Sequence, residues 1–165
     1  MKQNNHTNLW LEILVIVASL VALMLLLYFV IIVSFQNGTS SIDVTMKMAG
    51  KIATRVFEQP TQEEIKAVSI MMRYGAHLAL FFVVGLVTAF VSMVICRHYF
   101  RIIGILVSGV ICYGLAYYTE YYKQFVDGRH FHMSDVSLNW YGSLTGIICM
   151  VVSYFLNRLL VKLSA

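Results

Sequence analysis

Residues 9–35 run for 27 positions with a single charged side chain, Glu12, close to the start. A backbone in hydrocarbon must satisfy its own hydrogen bonds, so a segment this long and apolar reads as a membrane-spanning helix. At ~1.5 Å per residue it crosses a bilayer with length left over for tilt. Its apolar core is about twice the ~7–15 residues of a secretory signal, and no small-x-small site follows it. A retained anchor is therefore expected.

Composition extends the argument to the whole chain. Of 165 residues, 59% are apolar, 13% aromatic and 12% charged, about half the charge of an ordinary soluble domain. The mean hydropathy is +0.76. Most soluble folds are excluded, and with one proline so are disorder and Pro-rich linkers. Cys96, Cys112 and Cys149 have no C-x-x-C spacing, so neither a disulfide nor a zinc framework is implied. The net charge of +4 is spread along the chain, which suits membrane anchoring and excludes nucleic acid as a partner.

Three further spans are expected at 77–96, 102–118 and 136–160. The fold class is then all-α: a polytopic membrane protein with four transmembrane helices in a small antiparallel bundle, and one domain over 1–165. Arg97 and Arg101 close a turn between spans two and three that is too short for anything but a hairpin. Lys2, Arg97, Arg101, Arg158 and Lys162 hug the helix ends on the side of the termini. Seven basic residues on the other side are spread over two long loops. Density of charge places both termini in the cytoplasm.

The loop 36–75 carries its own pattern. Val44, Met48, Ile52 and Val56 repeat every four residues, with Lys47, Lys51 and Arg55 in a parallel stripe. An extracytoplasmic amphipathic helix is expected here, either lying in the headgroup layer or packing on the spans as a lid. Gln59-Pro60 ends it, and Thr61-Gln62-Glu63-Glu64 has the form of a capping box that opens a helix leading into span two. Asn37-Gly38-Thr39 matches a glycosylation sequon and is read as a turn.

Polar side chains at membrane depth are costly, so they are either paired or functional. Arg73 and His77 lie one turn apart at the mouth of span two. Glu120 follows Tyr113, Tyr117 and Tyr118 at the end of span three. In the loop 119–135, Asp127-Gly128-Arg129 has the look of a turn in which Gly takes a special backbone angle and Arg129 offers a planar fork to a carboxylate or phosphate. Asp135 and Asn139 share the entry face of span four with Gly142 and Gly146, suggesting close helix packing beside a polar pocket. Blander roles stand beside each: an interfacial anchor for Arg73, a hydrogen-bonded core histidine for His77, a water-facing acid for Glu120. Arg129 reads equally as an ordinary loop residue, and Asp135 as a simple helix cap. Gly104, Ser108 and Cys112 can pack within the monomer or between copies, so a homo-oligomer stays open.

The run Glu120-x8-Arg129-x5-Asp135-x3-Asn139-x2-Gly142-x3-Gly146 resembles the signature of the VanZ-like family, and Arg73-x3-His77-x7-Gly85 is similar to that family's span-two block. The resemblance covers roughly residues 36–150. Two positions depart from it: Lys123 stands where many relatives carry Gln, and Leu80 where many carry Glu, with Phe81 instead of Tyr beside it. What the resemblance implies is a bacterial plasma-membrane protein that influences susceptibility to teicoplanin, a glycopeptide with a lipid tail. The residues carried over are His77, Glu120, Arg129, Asp135 and Asn139, with Gly142 and Gly146 as packing positions.

Three functions remain open. In the first, an outer polar pocket of Arg73, His77, Glu120, Arg129, Asp135 and Asn139 binds an envelope lipid or headgroup, with membrane lipids and a glycopeptide or peptidoglycan precursor as partners. No nucleophile elbow, HExxH or P-loop is present, which favours binding over catalysis. The second is an intramembrane enzyme using His77 with Glu120 or Asp135 as acid and base on a lipid-linked substrate. The third is a small lipid or solute carrier, for which four spans are few. No cofactor is implied. A metal site from His77, Glu120 and Asp135 lacks the usual ligand spacing, so none is expected.

Overall fold

The computed structural model describes residues 4–34, 38–96, 101–126 and 128–164, with side chains from residue 10 in the first helix and from residue 42 in the second. Lys2, Asn37, Arg97 and Asp127, named above, lie outside the described residues. The fold is all-helical among the described residues: α1 (Asn4–Ser34), α2 (Gly38–Val56), α3 (Gln62–Ile95), α4 (Arg101–Lys123) and α5 (Met133–Leu163). Four of them, α1, α3, α4 and α5, are long and apolar enough to cross a membrane.

Several helices outrun the expected spans. The third was expected to stop at Tyr118, yet α4 continues through Glu120 to Lys123. Two opposite charges one turn apart neutralise each other, so the helix needs no exit to water at the first acid. Span two likewise is the second half of α3, whose 34 residues make it ~51 Å long. A hydrocarbon core is ~30 Å thick, and Glu63, Glu64, Lys66 and Arg73 all lie in the first half of α3, so the excess length is at that end.

Local chemistry sets the helix boundaries. The Thr61 backbone N–H donates to Glu64 Oε2 at 2.7 Å, and Glu64 N–H returns a bond to Thr61 Oγ1 at 3.3 Å, completing the capping box. Pro60 sits in the break between α2 and α3. Asp135 is not the cap of α5: His132 holds that position without a side-chain bond, and Asp135 falls inside the first turn, where its charge suits the helix dipole.

Packing centres on α3, which touches every other helix. Phe81, Val84 and Ala89 of α3 meet Cys112 and Ala116 of α4 and Val136 and Ile147 of α5, with Val30 of α1 completing the core. On α4 the buried face is a stripe of small residues, Gly104, Ser108, Cys112 and Ala116, consumed within the monomer. The tightest seam joins α3 and α5. A Cβ added at Gly85 would lie 2.0 Å from the Ser143 carbonyl oxygen, and one at Gly146 would lie 2.1 Å from that of Phe82. Gly142 approaches Leu78 in the same way. In a bilayer, where lipid tails are as apolar as leucine, such backbone contact is what holds helices together.

By contrast α1 buries only Val30 and Ser34 among its described side chains. It lies on the periphery of the bundle, touching α3 and α4. The helix α2 packs on α3, burying Ala49 and Ala53, while Val44, Met48, Ile52 and Val56 remain exposed.

Candidate functional site

The polar residues singled out in the sequence gather at one end of the bundle, where α3 enters, α4 finishes and α5 begins. They form two tiers. The accessible tier is a pocket of about 300 Å³ whose lining includes Arg73, Tyr74 and His77 from α3, with His132, Ser134 and Asp135 from the start of α5. Arg73 and His77 reach it together because they are four residues apart on one helix face. Arg73, His77 and His132 bring three nitrogen-bearing side chains to the wall, and Asp135 brings one carboxylate.

The second tier lies inside. Glu120 is fully buried, and so, to within 1%, is Asn139. Glu120 Oε1 accepts from the Lys123 ammonium on its own helix and from Asn139 Nδ2 on α5 at 3.4 Å. Its other oxygen, Oε2, has no partner, and neither does Asn139 Oδ1 nor His77 Nδ1. Three polar atoms from α3, α4 and α5 are thus buried without hydrogen bonds, a costly arrangement. His77 belongs to both tiers, since it lines the pocket and keeps its Nδ1 inside.

Arg129 stands apart from the pocket lining. Its guanidinium donates to the Ser34 carbonyl oxygen at 2.8 Å, so it closes the C-terminus of α1, where an unpaired carbonyl and the dipole both favour a cation. Gly128 just before it has φ +73°, the left-handed angle expected of the Gly in this turn. Burial, reinforced by the charge of Arg73, pushes the Arg129 guanidinium below its ordinary pKa, and Glu120 opposes the shift. Arg129 therefore joins the same electrostatic neighbourhood without facing the same space. Gly142 and Gly146 occupy the α3–α5 seam.

Lys123, His132 and Ser134 were not singled out as site residues. The i, i+3 spacing of Glu120 and Lys123 is a signal that could have found the first. Nothing local marks His132, which becomes part of the wall only because α5 starts beside α3. No group of three His, Cys, Asp or Glu side chains suited to a metal occurs among the described residues. Compared with family models, curated proteins and solved structures, the chain gives no match.

Proposed function

We propose that this chain is a bacterial plasma-membrane protein of the VanZ-like kind that binds the phosphate-bearing headgroup of an envelope lipid, or of a lipid-linked precursor, in the pocket of Arg73, His77 and His132. The spans form an antiparallel bundle with both termini in the cytoplasm, which puts the pocket at the external leaflet and α2 outside as an amphipathic helix. One observation carries the reading: three basic side chains, two from α3 and one from the start of α5, line one open pocket, beside buried polar atoms that lack partners. Arg73 offers a planar fork to two phosphate oxygens, and the histidines add donors without a fixed charge. Occupying such a site changes how a lipid-tailed glycopeptide anchors or how its target is presented, with no bond made or broken.

The test is susceptibility. Cells producing the protein are expected to tolerate more teicoplanin but not more vancomycin, which lacks the lipid tail, and Arg73→Gln is expected to abolish the difference while the protein still accumulates in the membrane. Equal sensitivity to teicoplanin with and without the protein overturns the reading.

A second reading rests on the unpartnered His77 Nδ1 and Glu120 Oε2. An imidazole at a pocket wall and a buried carboxylate on a neighbouring helix are the material of acid–base catalysis on a lipid-linked substrate. Turnover of a labelled lipid-linked substrate by the purified protein, lost in His77→Ala, distinguishes this reading from binding alone.

A further inference from the structure

The opposite end of the bundle holds a second group of cations that the pocket above does not use. Arg101, the first residue of α4, donates to the Tyr154 hydroxyl of α5, and its guanidinium carbon lies 4.7 Å from the centre of the same ring. Arg158, one turn further along α5, lies 5.7 Å from that ring. One tyrosine thus gathers two guanidinium groups from two helices, each held by a cation–π contact. Neither is paired with a carboxylate among the described residues. Without a carboxylate, each leaves a planar fork, the donor geometry that fits a phosphate.

Beside Arg101 and Tyr154 opens a cavity of about 200 Å³, walled by Val15 of α1, Phe90, Met93 and Val94 of α3, and Met150 of α5. Its wall is apolar apart from the arginine and the tyrosine at one side. Cation and apolar cavity are contiguous, which is the shape of an amphiphile: an anionic head with a hydrocarbon chain attached. We infer that this is a second lipid site, in which Arg101 and Arg158 hold the phosphate of a membrane phospholipid and a stretch of its acyl chain fills the cavity between α1, α3 and α5. The lipid then wedges the peripheral helix α1 onto the bundle at the end where α1 has no buried side chain of its own among those described. This site is independent of the proposed headgroup pocket, which is lined by Arg73 and His77 more than three turns away on α3.

The experiment uses the full chain, purified in neutral detergent and stripped of lipid, with phosphatidylglycerol as the probe. Two partial probes accompany it: glycerophosphate, which has the phosphate without chains, and diacylglycerol, which has chains without the phosphate. Native mass spectrometry counts bound lipid and thermal unfolding reads its effect. Phosphatidylglycerol is expected to be retained and to raise the unfolding temperature by several degrees, with neither partial probe matching it. The double variant Arg101→Gln/Arg158→Gln is expected to lower retention at this site at least five-fold. Met150→Trp, which fills the cavity and leaves both arginines, is expected to lower it as well. Arg73→Gln, at the other end, leaves this adduct in place, so a failure of the headgroup pocket is read separately. Wild-type retention in the double arginine variant overturns the proposal, as does full stabilisation by glycerophosphate alone. Should the double variant fail to fold, unchanged retention in folded Met150→Trp overturns it in the same way.

Discussion

On α4, the Glu120 carboxylate and the Lys123 ammonium form a salt bridge one helical turn apart with at most 7% of either side chain exposed. The pair is closed in by Asn139 of α5, so it belongs to the interior of the bundle. An ion pair so placed contributes little net stability, because both charges had to leave water. What it does is make the burial of either partner depend on the other.

That dependence can be measured. Lys123→Met leaves an uncompensated carboxylate inside the bundle and is expected to cost about 3–5 kcal/mol. Glu120→Leu alone strands the ammonium at a similar cost. The double variant Glu120→Leu/Lys123→Met is expected to unfold nearer to the wild-type temperature than either single variant. Thermal unfolding in detergent gives the cycle, and costs that simply add would contradict the coupling.

The α3–α5 seam yields a second expectation. Gly146→Ala places a methyl group 2.1 Å from the Phe82 carbonyl oxygen, a backbone atom that cannot move aside alone. It is expected to cost about 1–3 kcal/mol by overpacking and to lower the yield of monodisperse protein. Gly114→Ala meets nothing within 4 Å and is expected to be neutral or slightly stabilising. Size-exclusion profiles and unfolding temperatures of the two variants decide it.

Arg129 and Arg73 are expected to separate by role. Arg129→Ala removes the donor to Ser34 O and is expected to destabilise by about 1–3 kcal/mol through the unmet carbonyl. Arg73→Gln is expected to leave stability near wild type, because Arg73 is exposed, and, on the proposed reading, to weaken retention of a phosphate headgroup. Arg129→Lys keeps the charge and loses the fork, so it is expected to fall between wild type and Arg129→Ala in stability. Unfolding temperature alongside lipid retention distinguishes the two residues; identical profiles would merge their roles.

The capping box is a local test. Thr61→Ala removes the acceptor for Glu64 N–H and is expected to cost about 1 kcal/mol. The effect should be confined to the first turn of α3. Hydrogen exchange at residues 63–65 is expected to accelerate while amides around Phe81 keep their protection.

The spans were legible because a charge in hydrocarbon is so expensive that its absence over 20 residues admits few explanations. The capping box and the left-handed Gly128 were legible for a related reason: each depends on chemistry within four residues. His77 and Asp135 were each placed at the mouth of a span, and both line one pocket. The interior of the site was harder. Glu120 looks like an interfacial acid until Lys123 and Asn139 are known to face it, and Asn139 comes from another helix. Arg129 donates to a carbonyl 95 residues away in the chain, a relation no periodicity carries. Nor does spacing reveal that Arg101 of α4 and Arg158 of α5 both lie against the Tyr154 ring.

Because glycines at 85, 142 and 146 let two backbones touch, α3 and α5 have no layer of side chains between them to slide or repack. They form a single stiff spine with one wall of the pocket on each half. Widening the entrance by parting those halves would tear that seam, so the width of the pocket at Arg73, His77 and Asp135 is set by glycines that do not line it.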